Sequence, residues 1–399
     1  MDTDLAHKLG HMPPVLQGIR ILDFSQYIAG PFAAMLLSEQ GAEVIKVERP
    51  EGDPIRCHHG FMVWNRSKKN IKLDLKKPAG QQIALELAKQ SDVVIESGRP
   101  GVAERLGIGY DAISKINPRI IYCSISGFGP DGPYRDLPGW DPIAASVAGI
   151  YTTQAGEEAP PLYLVAPLPS YYTALMACFS ITTALFARQA TGQGQKVNMS
   201  LLAGILSSTS SSIVDFEGKV SMVSGIRDQQ GGSPLYRLYQ GSDGKWFFLG
   251  LGNLGFFAKF AVAMGRDEWL MDERFEGAPF LILPPRSIEL ITMLQDIFST
   301  KTRDEWLEFL RAADIPCAAS GTVEEYLDDP QVIANSMVIE VEQPGVGTVR
   351  QMGVPVRLHR NPGEVKGPSP EPGEHTTEIL SNLGYSALDI ADLINEGVV

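Results

Sequence analysis

The chain runs to 399 residues, 44% of them hydrophobic, enough for one large domain and one smaller domain with a core in each. Its net charge of -13 argues against a nucleic-acid partner, which needs a basic face, though a local basic cluster can still hold an anion. Cys57, Cys123, Cys178 and Cys317 lie far apart with no CxxC pair, and His58 and His59 are the only histidines beside one of them, so neither a disulfide framework nor a metal site is expected.

The first residues, Met1 to Lys8, show no basic stretch leading into an apolar core, so no export signal is expected and a cytoplasmic location follows. Strand Ile19–Phe24, the turn Tyr27 to Pro31, helix Phe32–Gln40 and strand Val44–Val47 have the spacing of a βαβ unit. Helix Gln81–Lys89 before strand Asp92–Ile95, and helix Tyr110–Ile116 before strand Ile120–Ile125, continue the alternation and predict a doubly wound parallel sheet. The Gly/Pro segment from Gly127 follows a strand end, where ligands of open α/β sheets bind, although an ordinary connection explains it as well. The longest apolar run, Tyr171 to Ala187, carries Thr173, Ser180, Thr182 and Thr183 and is shorter than the roughly 20 apolar residues of a membrane span, so a buried helix is expected.

A second domain is expected after Gln229, where Tyr239 to Leu249 reads as a hairpin turn entering a strand. Helices Leu254–Met264, Pro285–Phe298 and Thr302–Ala312 follow, the last with Trp306, Phe309 and Leu310 on one face. Strands Met337–Val341 and Gly347–Val356, a Pro/Gly-rich run and a final helix Thr376–Leu383 complete the chain. The expected division is residues 1–225 as the large domain, 226–330 as a small α+β domain, and 331–399 returning to the large one.

Six segments then carry a resemblance. Gly18-Ile-Arg-Ile-Leu-Asp-Phe-Ser with Ala29-Gly-Pro, Gly41-Ala-Glu-Val-Ile-Lys-Val-Glu-Arg, the Trp64-to-Lys76 stretch, Arg99-Pro-Gly, Thr191-Gly-Gln-Gly-Gln-Lys-Val and Gly373-Glu-His-Thr resemble the family III CoA-transferases, in order and over nearly the whole chain. The resemblance implies a Rossmann-like large domain built from both chain ends, a small domain, and two subunits linked like rings. It implies coenzyme A or an acyl-CoA as substrate, with no covalently bound cofactor. A CoA binder needs spaced cations, an apolar strip and close backbone approach. The family positions that hold CoA fall on Ile28, Ala29, Arg49, Leu73, Lys76, Ser97 and Arg105. Each cation taken singly is equally a solvated surface charge. Where the family often has Glu-Asn-Phe before Arg-Pro-Gly, this chain has Glu96-Ser97-Gly98, which implies weaker adenine packing.

The catalytic position departs further. Acids make up 47 of the 399 residues, yet none lies between Ala159 and Val214. By the resemblance, an Asp in that interval attacks the thioester, becomes an acyl anhydride and then an aspartyl-CoA thioester. Counting back from Thr191 puts Ser170 in its place. A serine would form an ester, less activated than a thioester, and transfer would stall there; it also needs a base, and only His58, His59 or His375 are candidates from elsewhere in the chain. Asp141, in Gly139-Trp140-Asp141-Pro142, is the nearest upstream acid and a candidate substitute, or a turn-stabilising residue before proline. The racemases of this fold need two bases across the α-carbon; Trp140 and Ser170 stand at both places and count against them. Three readings follow. The first is the non-catalytic subunit of a heteromer whose homologous partner keeps the Asp, as in a succinyl-CoA:(R)-benzylsuccinate CoA-transferase. The second is a self-sufficient acyl-CoA enzyme using Asp141, and the third a CoA-ester-binding homodimer. Tyr163, Tyr171, Tyr172 and Phe179 surround Ser170 in sequence and would suit an aromatic acyl group, or simply a helix core.

Overall fold

A computed structural model describes residues 12–155, 160–210, 213–218 and 229–399. Met1 to Lys8 and the expected boundary between residues 225 and 226 lie outside the described residues. The chain forms two compact units: one takes the chain up to Ala148, Ala166–Ile213 and Gln331–Val399, the other Gly149–Val165 and Val214–Pro330.

The larger unit is a six-stranded sheet of β1 (Arg20–Asp23), β2 (Glu43–Glu48), β3 (Lys69–Lys72), β4 (Val93–Glu96), β5 (Ile121–Ser126) and β6 (Gln195–Ser200), in spatial order 3-2-1-4-5-6. Every pair is parallel. Parallel strands are covered on both faces, which explains the near-continuous apolar runs of β1, β4 and β5. One face packs on α1 (Ala29–Glu39) and its neighbours, the other on α2 (Pro78–Lys89), α3 (Val102–Arg105), α4 (Tyr110–Ile116) and the chain's C-terminal helices. Strands β3 and β6 are absent from the sequence-based expectation because Lys69-Asn-Ile-Lys and Gln195-Lys-Val-Asn have no apolar run to announce them. They are edge strands held by register with β2 and β5.

A short helix, α5 (Asp141–Val147), precedes α6 (Leu168–Thr191), which is 24 residues long. Helix α6 is thus longer than the apolar run predicted, and among the described residues it alone is long and apolar enough to cross a membrane by length and composition. It is also only half buried. Thr173, Ala174, Ala177, Ile181, Ala184 and Leu185 pack inward against α1 and α7 (Leu201–Ser208), whereas Phe179 is 66% and Phe186 76% exposed.

Buried charges support the floor of this unit. Lys68 Nζ bonds Asp23 Oδ2 at 2.9 Å, Pro31 O at 2.9 Å and Asn65 Oδ1 at 3.0 Å, and Lys46 Nζ bonds Asp53 at 3.0 Å and the Ser25 carbonyl. Burial pushes the Lys68 ammonium down to about 8 against the pull of Asp23. Arg66 has no exposed surface; its Nε meets Glu39 at 2.8 Å, while Nη1 reaches Gln351 Oε1 at 3.0 Å and the Met352 carbonyl. Those last partners sit on a C-terminal hairpin, Val338–Gln343 with Gly347–Met352, whose second strand is shorter than predicted. The helix at Thr376–Asn382 is followed by another, Ala387–Asn395, which corrects the expectation that the chain ends with one helix. Its signal was a capping box, Ser386 with Asp389.

The smaller unit is a four-stranded antiparallel sheet, including the hairpin Tyr236–Gln240 with Trp246–Gly250, against helices Leu254–Ala263, Arg286–Phe298 and Arg303–Ala312. Aromatics dominate its core: Tyr239, Phe247, Phe260, Trp269, Phe298 and Trp306 are all buried. Trp306 and Leu310 face inward as their spacing predicts, with Phe309 partly buried beside them.

Candidate functional site

In a 3-2-1-4-5-6 sheet the connections leave β1 and β4 in opposite directions, which opens a crevice at the carboxyl ends of those strands. Two adjoining hollows occupy that place, and Gln26, Ser97 and Gly98, just beyond β1 and β4, line both.

The first hollow, of about 380 Å³, is walled by the ends of β2, β3 and β4 and by the α3 region. Phe24, Val47, Leu73, Leu75, Val102, Leu106 and Ile108 form an apolar strip, with Arg49 and Lys76 at its margin. Four acids also line it. Glu48 is matched by Arg56, whose Nε and Nη2 each lie 2.8 Å from its oxygens. Glu96 is pushed above the usual carboxylate range by burial, although it accepts bonds from Ser124 and from Gly98 N at 2.8 Å. Asp74 accepts from Lys76 N at 3.0 Å, and Glu51 stands 4.0 Å from Arg49. With two acids neutralised or bonded inward, an apolar slot with cations at its edge remains, which suits a nucleotide base followed by phosphates. A Cβ at Gly98 would stand 3.2 Å from Glu96 and 3.3 Å from Val102, so this bend in the wall is tight around a glycine.

The second hollow, of about 270 Å³, holds Ser170, the position that the resemblance gives to the nucleophile, and is therefore what the resemblance implies to be the reaction end. Ile28 and Ala29 enter it from the start of α1, and Tyr27 beside them holds a φ of +64°, a strained value for a bulky residue. Tyr27 packs edge-on against Trp140, with centroids 4.6 Å apart. Asp141 and Ser170 meet here. Ser170, only 3% exposed in the first turn of α6, donates through N to Asp141 Oδ1 at 2.7 Å and through Oγ to Oδ2 at 2.6 Å. The first N–H groups of a helix lack intrahelical acceptors, and a carboxylate there is favoured by the helix dipole. Asp141 therefore caps α6 from another element, while itself opening α5 ahead of Pro142. This refines the reading of Asp141 as a turn-stabilising residue: what it stabilises lies 29 residues downstream. Burial raises the Asp141 pKa, against the two bonds from Ser170 that lower it.

The crevice thus brings together Ile28, Ala29, Ser97, Asp141 and Ser170 at the reaction end, and Arg49, Leu73, Lys76 and Ser97 in the nucleotide end. Arg105 lies on α3, exposed, while its neighbours Val102, Ala103 and Leu106 form the wall. Among the described residues no histidine lines the reaction end: His58 stacks on Trp64, and His375 Nδ1 accepts from Asn70 N. Of the aromatics near Ser170 in sequence, Tyr171 packs on Phe32 and Phe179 is exposed. The aromatics of the hollow are Tyr27 and Trp140, and Arg99 and Arg135 add two cations that sequence reasoning did not assign.

Comparison with known proteins agrees with this geometry. The profile of CoA-transferase family III matches residues 16–376. The chain is 32% identical to a succinyl-CoA–D-citramalate CoA-transferase of Chloroflexus aurantiacus, covering 97% of this chain and 98% of the relative. It is 33% identical to the beta subunit of a succinyl-CoA–L-malate CoA-transferase of the same organism, covering 96% and 98%. A solved structure of a CaiB/BaiF family protein from Brucella suis superposes with a TM-score of 0.79 at 28% identity, over 93% of this chain and 100% of the other.

Proposed function

Because the chain belongs to family III of the CoA-transferases, we propose that it is the subunit without a nucleophile in a heteromeric CoA-transferase, paired with a homologous chain that carries the catalytic Asp. The observation that carries this reading is the Ser170–Asp141 pair. The place that the resemblance gives to the nucleophilic carboxylate holds a buried serine, and the one acid lining the reaction end among the described residues accepts a hydrogen bond from it on each oxygen.

In a transfer cycle the carboxylate displaces CoA thiolate and becomes an acyl anhydride; the thiolate attacks the aspartyl carbonyl, releases the donor acid and leaves an aspartyl-CoA thioester. The acceptor carboxylate displaces the thiolate to form a second anhydride, which the thiolate opens to give the new acyl-CoA and free Asp. Each intermediate must remain activated. An ester on Ser170 would not be, since the alkoxide is a far poorer leaving group than a thiolate or carboxylate. The chain's part is then to complete the fold, hold a CoA thioester and shape the acyl pocket. Both relatives named above use succinyl-CoA, and the second is itself one subunit of an enzyme, which supports the same division of labour. Succinyl-CoA is the proposed donor, and benzylsuccinate the first acceptor to test. The proposed assembly is the linked-ring dimer of the family, in the cytoplasm.

A second reading keeps one observation in its favour: Asp141 lines the cleft. For Asp141 to attack a thioester it must release the Ser170 N–H and Oγ, leaving the start of α6 uncapped. Native mass spectrometry of the protein isolated from its own organism tests the choice. A complex with an Asp-bearing homologue is expected; a homodimer that forms a CoA thioester on Asp141 when given succinyl-CoA would overturn the proposal.

A further inference from the structure

The loop between β5 and α5 is more ordered than its Gly/Pro composition implies. Its ends are pinched together, since a Cβ on Gly127 would meet Gly139 Cα at 2.4 Å. Inside it, Phe128 packs edge-on against Tyr134 at 5.5 Å, Gly129 N bonds Ser126 Oγ, and Arg135 N bonds the Gly132 carbonyl. Leu202 N bonds the Gly127 carbonyl, which ties the loop to α7. A compact loop closed at its neck and packed on its own side chains is a common carrier of binding residues. This one carries Arg135 into the wall of the reaction end and then leads directly to Trp140 and Asp141.

Three charged side chains line that hollow: Arg99, Arg135 and Asp141. Asp141 is occupied by Ser170 and pushed toward its neutral form by burial. Arg99 adjoins Ser97 and Gly98, the wall shared with the nucleotide end. Arg135 comes from the loop between β5 and α5, and its ion pair with the adjacent Asp136, at 3.3 Å with side chains 44% and 75% exposed, is of the kind that contributes little. A guanidinium so weakly held, beside the aromatic pair Tyr27 and Trp140, is available to an anionic group on the ligand. The thioester end of an acyl group is neutral, so the anion must be at its far end.

We propose that Arg135 is a specificity-determining residue that pairs with the distal carboxylate of a dicarboxylic acyl group, so that this chain's cleft prefers CoA thioesters of dicarboxylic acids to those of monocarboxylic acids of the same length. The inference rests on the CoA-binding reading above. Planar guanidinium and carboxylate match in two parallel bonds, which a lysine cannot reproduce.

Binding to the full-length protein, in the assembly in which it purifies, tests this without turnover. Calorimetric titration would compare S-(3-carboxypropyl)-CoA with S-butyl-CoA, thioethers alike except for the terminal carboxylate. The wild type is expected to bind the carboxylated ligand about tenfold more tightly, the scale of one charge-assisted contact. R135Q is expected to lose that preference while keeping its affinity for S-butyl-CoA, and R135K to recover part of it. Equal binding of both ligands by the wild type, or a preference that survives in R135Q, overturns the role of Arg135 and leaves the CoA site standing. Absence of binding for both ligands overturns the CoA reading itself, and the inference with it.

Discussion

The two ends of the crevice differ in what they are built to tolerate. At the nucleotide end an apolar strip, a tight turn at Gly98 and marginal cations form a slot open to a ligand, and its acids are paired with arginine or bonded to backbone. At the reaction end the only carboxylate among the described residues is turned onto Ser170 and serves the start of α6. On the proposed reading, holding a CoA thioester and reacting with it are separable within one cleft, since the same switch point of the sheet hosts both ends.

The sharpest way to break that contrast is to return a carboxylate to position 170. S170D would set two carboxylates against each other in a site where Ser170 is almost fully buried, at a cost of about 3 kcal/mol at neutral pH. One of the two would keep a proton, raising its pKa in the folded state above its unfolded value. The stability is therefore present in acid and lost as pH rises through the folded pKa. Urea unfolding at pH 5 and pH 8 is expected to show the loss mainly at the higher pH, with D141N restoring most of it. D141A comes next: losing the cap and leaving the Ser170 donors without an acceptor costs about 2 kcal/mol, read from the same unfolding curves, with affinity for free CoA unchanged.

At the other end the signs reverse. K76A is expected to weaken CoA binding by about fivefold, roughly 1 kcal/mol, with little change in stability, and the difference should shrink in high salt. The smallest effect is that of S170A, about 1 kcal/mol from one lost hydrogen bond. Because burial already raises the Asp141 pKa and the serine opposes that rise, S170A should carry the fall in stability, which begins at the ordinary carboxylate pKa, on to higher pH than in the wild type.

The alternating pattern of helix and strand made the doubly wound sheet legible, and β1, β2, β4 and β5 are where their apolar runs put them. Strands β3 and β6 were hidden because their partners, not their own side chains, define them. The buried ions were hidden for a related reason: Asp23, Lys46 and Lys68 read as surface charges until the chain folds them onto each other. Ser170 and Asp141 were each singled out, but 29 residues of sequence give no hint that one carboxylate grips the other's helix. Tyr27, Trp140 and Arg135 gave weak signals, an aromatic before Asp-Pro and a charge inside a Gly/Pro loop. Nearness in sequence does not fix direction: on one helix Tyr171 packs on Phe32 while Phe179 is exposed, because a helix turns neighbours to different faces.

Arg66 sets a schedule for the chain's birth. Its bond to Glu39 joins residues made close together, but Gln351 is translated 285 residues later. At about 5–20 residues per second, a guanidinium destined for complete burial waits on the order of tens of seconds for its remaining acceptors. The last four strands of the sheet, β3 to β6, are made in that interval with one corner of the core still charged and wet. The larger unit is finished only by Gln331–Val399, so a chain stopped short of the C-terminal hairpin is a client for chaperones rather than a smaller version of the protein.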